Sequence, residues 1–160
     1  MKKVRNLVPA ILIVVLFGCE RTTFYNPYAQ LDTDIAIIDQ YLEENNITAQ
    51  KSSSGLRYVI HDPGVGSIPV AGNILVVHYI GTLLDGTVFD SSYDNGKPLR
   101  YQYKSGQVIS GWEEGLGYIA EGGKITLYVP SGLAYGSRAV GDLIEPNSNL
   151  IFDIELFSVQ

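Results

Sequence analysis

From Leu56 onward the apolar and polar positions of this chain alternate with a period of two, the signature of strands with one face inside and one face wet. Leu56, Tyr58 and Ile60 alternate with Arg57 and Val59. "NILVVHYIGTLL" (73–84) predicts a long strand, and Asp85-Gly86 predicts a tight hairpin turn into "TVF". Leu99, Tyr101 and Tyr103 alternate with Arg100 and Gln102, and Ile125, Leu127 and Val129 with Lys124, Thr126 and Tyr128. Near the C-terminus Phe152, Ile154 and Leu156 face one way, Asp153 and Glu155 the other.

Two stretches break this period. "LDTDIAIIDQYLEENNI" (31–47) predicts a helix with Asp32 as N-cap, Asp34 favourably placed on the helix dipole, and Ile35, Ile38 and Leu42 on one face. Asn45-Asn46 stop it, and "TAQKSSSG" follows as a linker. Its short apolar stripe suits a spacer docked on the domain better than a dimerisation device. In "VISGWEEGLGYIA" (108–120), Ile109, Trp112, Leu116 and Ile119 have helical spacing. Gly111, Gly115 and Gly117 each cost a helix about 1 kcal/mol relative to Ala, so that helix is expected to be short and held by packing. The expectation is an α+β domain: an antiparallel sheet of about five to six strands around one short helix, preceded by an N-terminal helix.

The first residues carry a different message. Lys2, Lys3 and Arg5 precede an apolar run from Leu7 to Phe17, too short to span a bilayer and of the right length for a signal segment. The run ends in "LFGC", which resembles the lipobox of bacterial lipoproteins, so Cys19 is the expected lipidation site. Cys19 is the single cysteine, which excludes an intramolecular disulfide. The resulting division is signal peptide 1–18, lipidated tether 19–30, helix and linker 31–54, and a globular domain 55–160. It implies an exported, membrane-anchored lipoprotein facing the periplasm, held by acyl chains worth about 0.8 kcal/mol per buried CH2. The net charge is −6, and the signal segment removes three cations and no acid. So acidic a body, without a basic cluster, argues against nucleic acid as a partner.

The usual constellations of catalytic residues are scarce. His61 and His78 are the only histidines, too few with one cysteine to build a metal site of several His/Cys ligands. Gly64-Val65-Gly66 lacks the context of a phosphate loop and reads as a turn. Glu113 and Glu114 are neighbours on a helix and diverge by about 100°, so they cannot face each other across one substrate bond. A solvated helix face is the simpler reading of the pair, and a hydrolase using one of them the remoter one. What the sequence has in excess is aromatic residues near strand ends: Tyr79, Phe89, Trp112, Tyr135 and Phe152. Each singly fits a core; together they fit an apolar pocket with hydroxyls at its rim.

Four ordered stretches, "VVHYIGTLLDGTVFDSS" (76–92), "GQVISGWEEGL" (106–116), "ITLYVPSGLAYG" (125–136) and "IEPNSNLIFDIEL" (144–156), resemble the FKBP-type peptidyl-prolyl cis–trans isomerases. The similarity runs from about Gly55 to Gln160. It implies a twisted sheet wrapped around a short helix, and acceleration of X–Pro bond rotation in exported proteins without a cofactor. Proline-containing polypeptides are the implied clients, and macrolides such as tacrolimus the implied ligands. A peptide-binding chaperone module without turnover is the alternative. By this resemblance Trp112 is the floor under the proline ring, and Tyr79, Phe89, Val108, Ile109 and Phe152 are walls. Asp90 is the polar pocket residue, Tyr135 donates its hydroxyl to a bound carbonyl, and Ile144 offers a backbone N–H with Leu143 beside it at the rim. Asn95 stands where many members have an Arg that pairs with the aspartate, leaving Asp90 to Tyr side chains or Arg100. Leu99 and Tyr101 replace family phenylalanines, and Val140 replaces a His of the best-known members.

Overall fold

A computed structural model describes residues 27–160. The expected signal segment, the expected lipidation site Cys19 and the first eight residues of the tether lie outside the described residues, and the tether's last four belong to α1. In chain order the elements are α1 (Pro27–Glu44), β1 (Gln50–Lys51), β2 (Arg57–Asp62), β3 (Ile74–Leu83), β4 (Val88–Ser91), β5 (Leu99–Gln102), α2 (Ser110–Gly115), β6 (Lys124–Val129) and β7 (Leu150–Val159). Short 3-10 turns follow α2 (Leu116–Tyr118) and β6 (Ser131–Leu133).

All pairings are antiparallel, in the order β1-β2-β6-β7-β3-β4, with β5 beside the first half of β3. The sheet has seven strands, the addition being the two-residue β1 at its edge. The Asp85-Gly86 turn forms as its residues require: Gly86 takes φ 87°, and the Asp85 carboxylate accepts the Thr87 N–H at 2.9 Å. The alternating residues predicted to face inward do so. Tyr101, Tyr103, Ile125, Leu127, Val129, Phe152, Ile154 and Leu156 join Trp112, Leu116 and Ile119 in one buried cluster.

Against this face lies α2, and its glycines explain how closely. A Cβ on Gly111 would stand 2.6 Å from Val129 Cγ1, and one on Gly115 2.5 Å from Leu127 Cδ2. The glycines that weaken the helix intrinsically are what let it sit on the sheet.

The opposite face is not wet throughout. Tyr128 and Ile151 are buried there with Ile38 and Leu42 of α1, and Tyr41, Ile47, Val59 and Leu84 pack around them. Burial, with Tyr41 and Asp153 nearby, pushes the Tyr128 hydroxyl up to about 12. Arg57, read as a polar outward position, is buried and donates Nε to Asp39 Oδ1 at 2.8 Å and a terminal N–H to Asp39 Oδ2 at 3.1 Å. Thus α1 is docked by an apolar stripe and an ion pair. As described, it extends back to Pro27, earlier than expected. Asp32 is therefore an exposed interior residue rather than a cap. Asn46, at φ 56°, ends the helix, and Ile47 N–H returns to Leu42 O at 2.8 Å. Among the described residues no helix is long and apolar enough to cross a membrane.

Candidate active site

The α2 face of the sheet opens into a cavity of about 590 Å3 whose floor is Trp112, only 3% exposed. Trp112 is fixed by rings standing edge-on to it: Tyr79 of β3 at 4.9 Å and 78°, and Phe152 of β7 at 5.3 Å and 89°. Phe89 of β4 meets Phe152 at 5.5 Å and 85°. Aromatic pairs favour this geometry by about 0.5–1.5 kcal/mol beyond their area. Three strands and one helix therefore form a box of rings. Val108, Ile109, Leu99 and Ala134 complete its apolar lining.

Polar groups enter at few points. Tyr79 donates its hydroxyl to Asp90 Oδ2 at 2.5 Å, and burial and this carboxylate together raise the Tyr79 hydroxyl far above its ordinary value. Asp90 thus takes a tyrosine partner, whereas Arg100 donates to Gln160 Oε1 at 2.8 Å and lies outside this pairing. Tyr135 also lines the cavity. Burial first, then the Asp90 charge, raises its hydroxyl. Among the described residues that hydroxyl has no hydrogen-bond partner, and neither does the buried indole N–H of Trp112. The Ile109 N–H, on the lining, is likewise without an acceptor among the described residues, while its carbonyl accepts Trp112 N–H at 3.0 Å as α2 begins.

Tyr79, Phe89, Asp90, Val108, Ile109, Trp112, Tyr135 and Phe152 are thus gathered on one cavity. Leu143 and Ile144 are not part of its lining. Leu143 is 45% exposed, and Ile144 is 5% exposed in the core cluster. The Ile144 N–H is committed to Val140 O at 3.3 Å, and Ile144 O accepts Val140 N–H at 2.9 Å, a reciprocal bridge that closes the loop on itself. Ile109, by contrast, is a lining residue whose backbone N–H is uncommitted among the described residues.

Glu113 corrects another expectation. It is 8% exposed, not solvated, and its carboxylate accepts the N–H groups of Lys104 at 2.5 Å and Gly106 at 3.3 Å. Both donors sit at positive φ, 61° and 75°, so the turn aims its amides inward and the glutamate holds the chain leading into Val108 and Ile109. Glu114 accepts Ser54 Oγ at 2.6 Å and the Tyr118 hydroxyl at 2.8 Å; burial raises its carboxyl, but hydrogen bonds and Lys104 leave it below its ordinary value. The two acids diverge, as their spacing requires, and each has a structural partner. Sequence reading also missed Arg138, an exposed cation on the lining that makes no ion pair among the described residues; a polar loop residue carries no signal of that kind.

Comparison with known proteins bears on the same residues. The model of a family described as FKBP-type peptidyl-prolyl cis-trans isomerase matches residues 66–157. The "Probable FKBP-type peptidyl-prolyl cis-trans isomerase FkpA" of Neisseria meningitidis serogroup B is 43% identical over 123 residues, 76% of this chain and 44% of the relative. The "Outer membrane protein MIP" of Legionella longbeachae is 49% identical over 107 residues, 67% of this chain and 45% of the relative. The chain spans less than half the length of these curated relatives. The crystal structure of FkpA from Escherichia coli superposes with a TM-score of 0.70 at 41% identity, covering 83% of this chain and 64% of that one. That of AtFKBP13 gives 0.67 at 42%, covering 71% and 99%. Because the family match contains every residue lining the aromatic box, the chain belongs to the FKBP-type peptidyl-prolyl cis-trans isomerase family.

Proposed function

We propose that this chain is a peptidyl-prolyl cis–trans isomerase acting on exported polypeptides, with the Trp112 cavity as its active site. The observation that carries this reading is an open aromatic-lined cavity with free donors on its walls, among them the Tyr135 hydroxyl and the Ile109 N–H. Rotation of a peptide bond must cross about 18–20 kcal/mol because resonance keeps the amide planar. X–Pro bonds populate both isomers yet exchange in roughly 10–100 s. No bond need be attacked; the site must bind the twisted amide more tightly than either planar form. Twisting removes resonance and lowers the charge separation across the amide, so an apolar box on Trp112 favours it. Tyr135 and Ile109 would hold flanking carbonyls while the bond turns, and the Tyr79–Asp90 pair would fix the wall beside the carbonyl carbon. The same box suits a macrolide such as tacrolimus, an apolar ring with carbonyls.

A chaperone reading without turnover has its own support. A second cavity of about 590 Å3 adjoins the first through Tyr79 and Leu99, bordered by Asn95, Lys97 and Arg100. The smaller Leu99 and the missing arginine leave room for an extended segment. Isomerisation of a proline-containing peptide, followed by exchange spectroscopy so that binding and turnover are read together, separates the two.

For location, the proposal is an exported lipoprotein anchored through acylated Cys19, its domain facing the periplasm. The n-region, the apolar run and "LFGC" support this, as does a relative named as an outer membrane protein.

A further inference from the structure

We propose that α1 is a strut for the active site, and that Asp34 is a positioning residue that holds the Tyr135 turn. The inference rests on the isomerase reading for its functional consequence and on geometry for its substance. Asp34 belongs to a helix outside the segment that matches the family, yet it is 1% exposed. Its Oδ2 accepts Ser131 N–H at 2.9 Å and Ser131 Oγ at 2.6 Å, and its Oδ1 accepts Gln30 Nε2 at 2.7 Å. Asn149, just before β7, braces the same Ser131 N–H through Oδ1 at 3.2 Å. On its other side the Ser131 carbonyl accepts Ala134 N–H at 2.9 Å and Gly136 N–H at 2.8 Å.

Those two amides flank Tyr135. The buried carboxylate thus fixes Ser131, and Ser131 fixes the backbone on both sides of the tyrosine. No residue of α1 lines the cavity itself, so this connection runs through Ser131. A buried carboxylate accepting backbone and hydroxyl donors makes charge-assisted bonds about twice as strong as neutral ones, which suits a part that must not drift. Losing the strut would misplace the Tyr135 hydroxyl, a group that binds planar and twisted amides alike, so the defect would appear in KM rather than kcat.

The test compares Asp34→Ala, Asp34→Asn and Leu42→Ala in the full chain. Leu42 lies on the same helix but packs on Tyr128 and Ile151, away from the turn. Asp34→Ala should shift the amide resonances of Ala134, Tyr135 and Gly136 and raise KM for a proline peptide about tenfold, the order expected when one hydrogen bond to the peptide is lost. Asp34→Asn keeps an acceptor oxygen and should restore most of both. Leu42→Ala should lower thermal stability while leaving those amides and KM in place. If Leu42→Ala moves the same amides and KM as much as Asp34→Ala, α1 contributes stability alone and the strut is wrong. If the wild-type chain turns over no peptide, the isomerase reading falls, and the three amide shifts still decide the role of Asp34.

Discussion

Trp112 and Glu113 are neighbours with opposite chemistry and one shared fate, burial. The indole finds three aromatic partners on three strands of the sheet, with Tyr101 of β5 the farthest at 6.4 Å. The carboxylate finds two backbone amides. A hydrogen bond to a charged group contributes roughly 1.5–3 kcal/mol, and a buried donor left unmatched costs a similar amount. Glu113→Gln, which turns part of the acceptor into a donor, should therefore lower unfolding free energy by about 2 kcal/mol in urea titration. A variant as stable as wild type would return Glu113 to solvent. The aromatic wall was legible in the sequence because large apolar residues have one default, the inside. The acids were not, because a carboxylate's default is water. Its burial depends on donors supplied elsewhere, nine positions back for Glu113 and 97 positions on for Asp34.

Among elements, α1 departs most from expectation. Its stripe of Ile38 and Leu42 was readable from spacing, as was its docking on the domain. The face it docks on was not. Alternation in β6 and β7 marks one inward face and leaves Tyr128 and Ile151 looking like exposed exceptions until a helix covers them. The ion pair at this junction gives a pH test. The Arg57 hydrogen bonds lower Asp39 to about 2 from its ordinary 3.8, burial opposing and Lys51 assisting. A carboxyl depressed on folding stabilises the protein above its unfolded pKa, and that contribution disappears as pH falls through about 2. With the Asp39 side chain a third exposed, screening leaves about 1 kcal/mol. Wild type should exceed Asp39→Asn by that amount at pH 5, and the gap in urea midpoints should close as pH approaches 2. A gap that stays constant across this window would remove Arg57–Asp39 from the docking of α1.

At the scale of the whole molecule, a seven-stranded sheet presses a six-residue helix into place and leaves one aromatic-lined cavity at their junction. Periodicity was enough for the strands and the short helix. The pairing order, with β7 between β6 and β3, is carried by contacts between distant segments and has no local mark. The resemblance supplied the site residues; most of them line the cavity, while the Ile144 N–H bonds within its own loop and Leu143 stands outside the lining. The proposed anchor is a property of the whole chain as well. Cys19→Ser should abolish incorporation of labelled fatty acid and release the protein from membranes; continued labelling would place the lipid elsewhere.

The central claim is that the Trp112 box turns over X–Pro bonds, and the most direct measurement is the rate of cis–trans exchange in a proline-containing peptide. The wild-type chain should accelerate exchange well beyond the uncatalysed 10–100 s. The double variant Trp112→Ala, Tyr135→Phe should lose at least about 100-fold of that acceleration, roughly 2.7 kcal/mol of transition-state stabilisation. Wild-type exchange no faster than that of the double variant, with saturable peptide binding intact, would contradict catalysis and leave a binding module in its place.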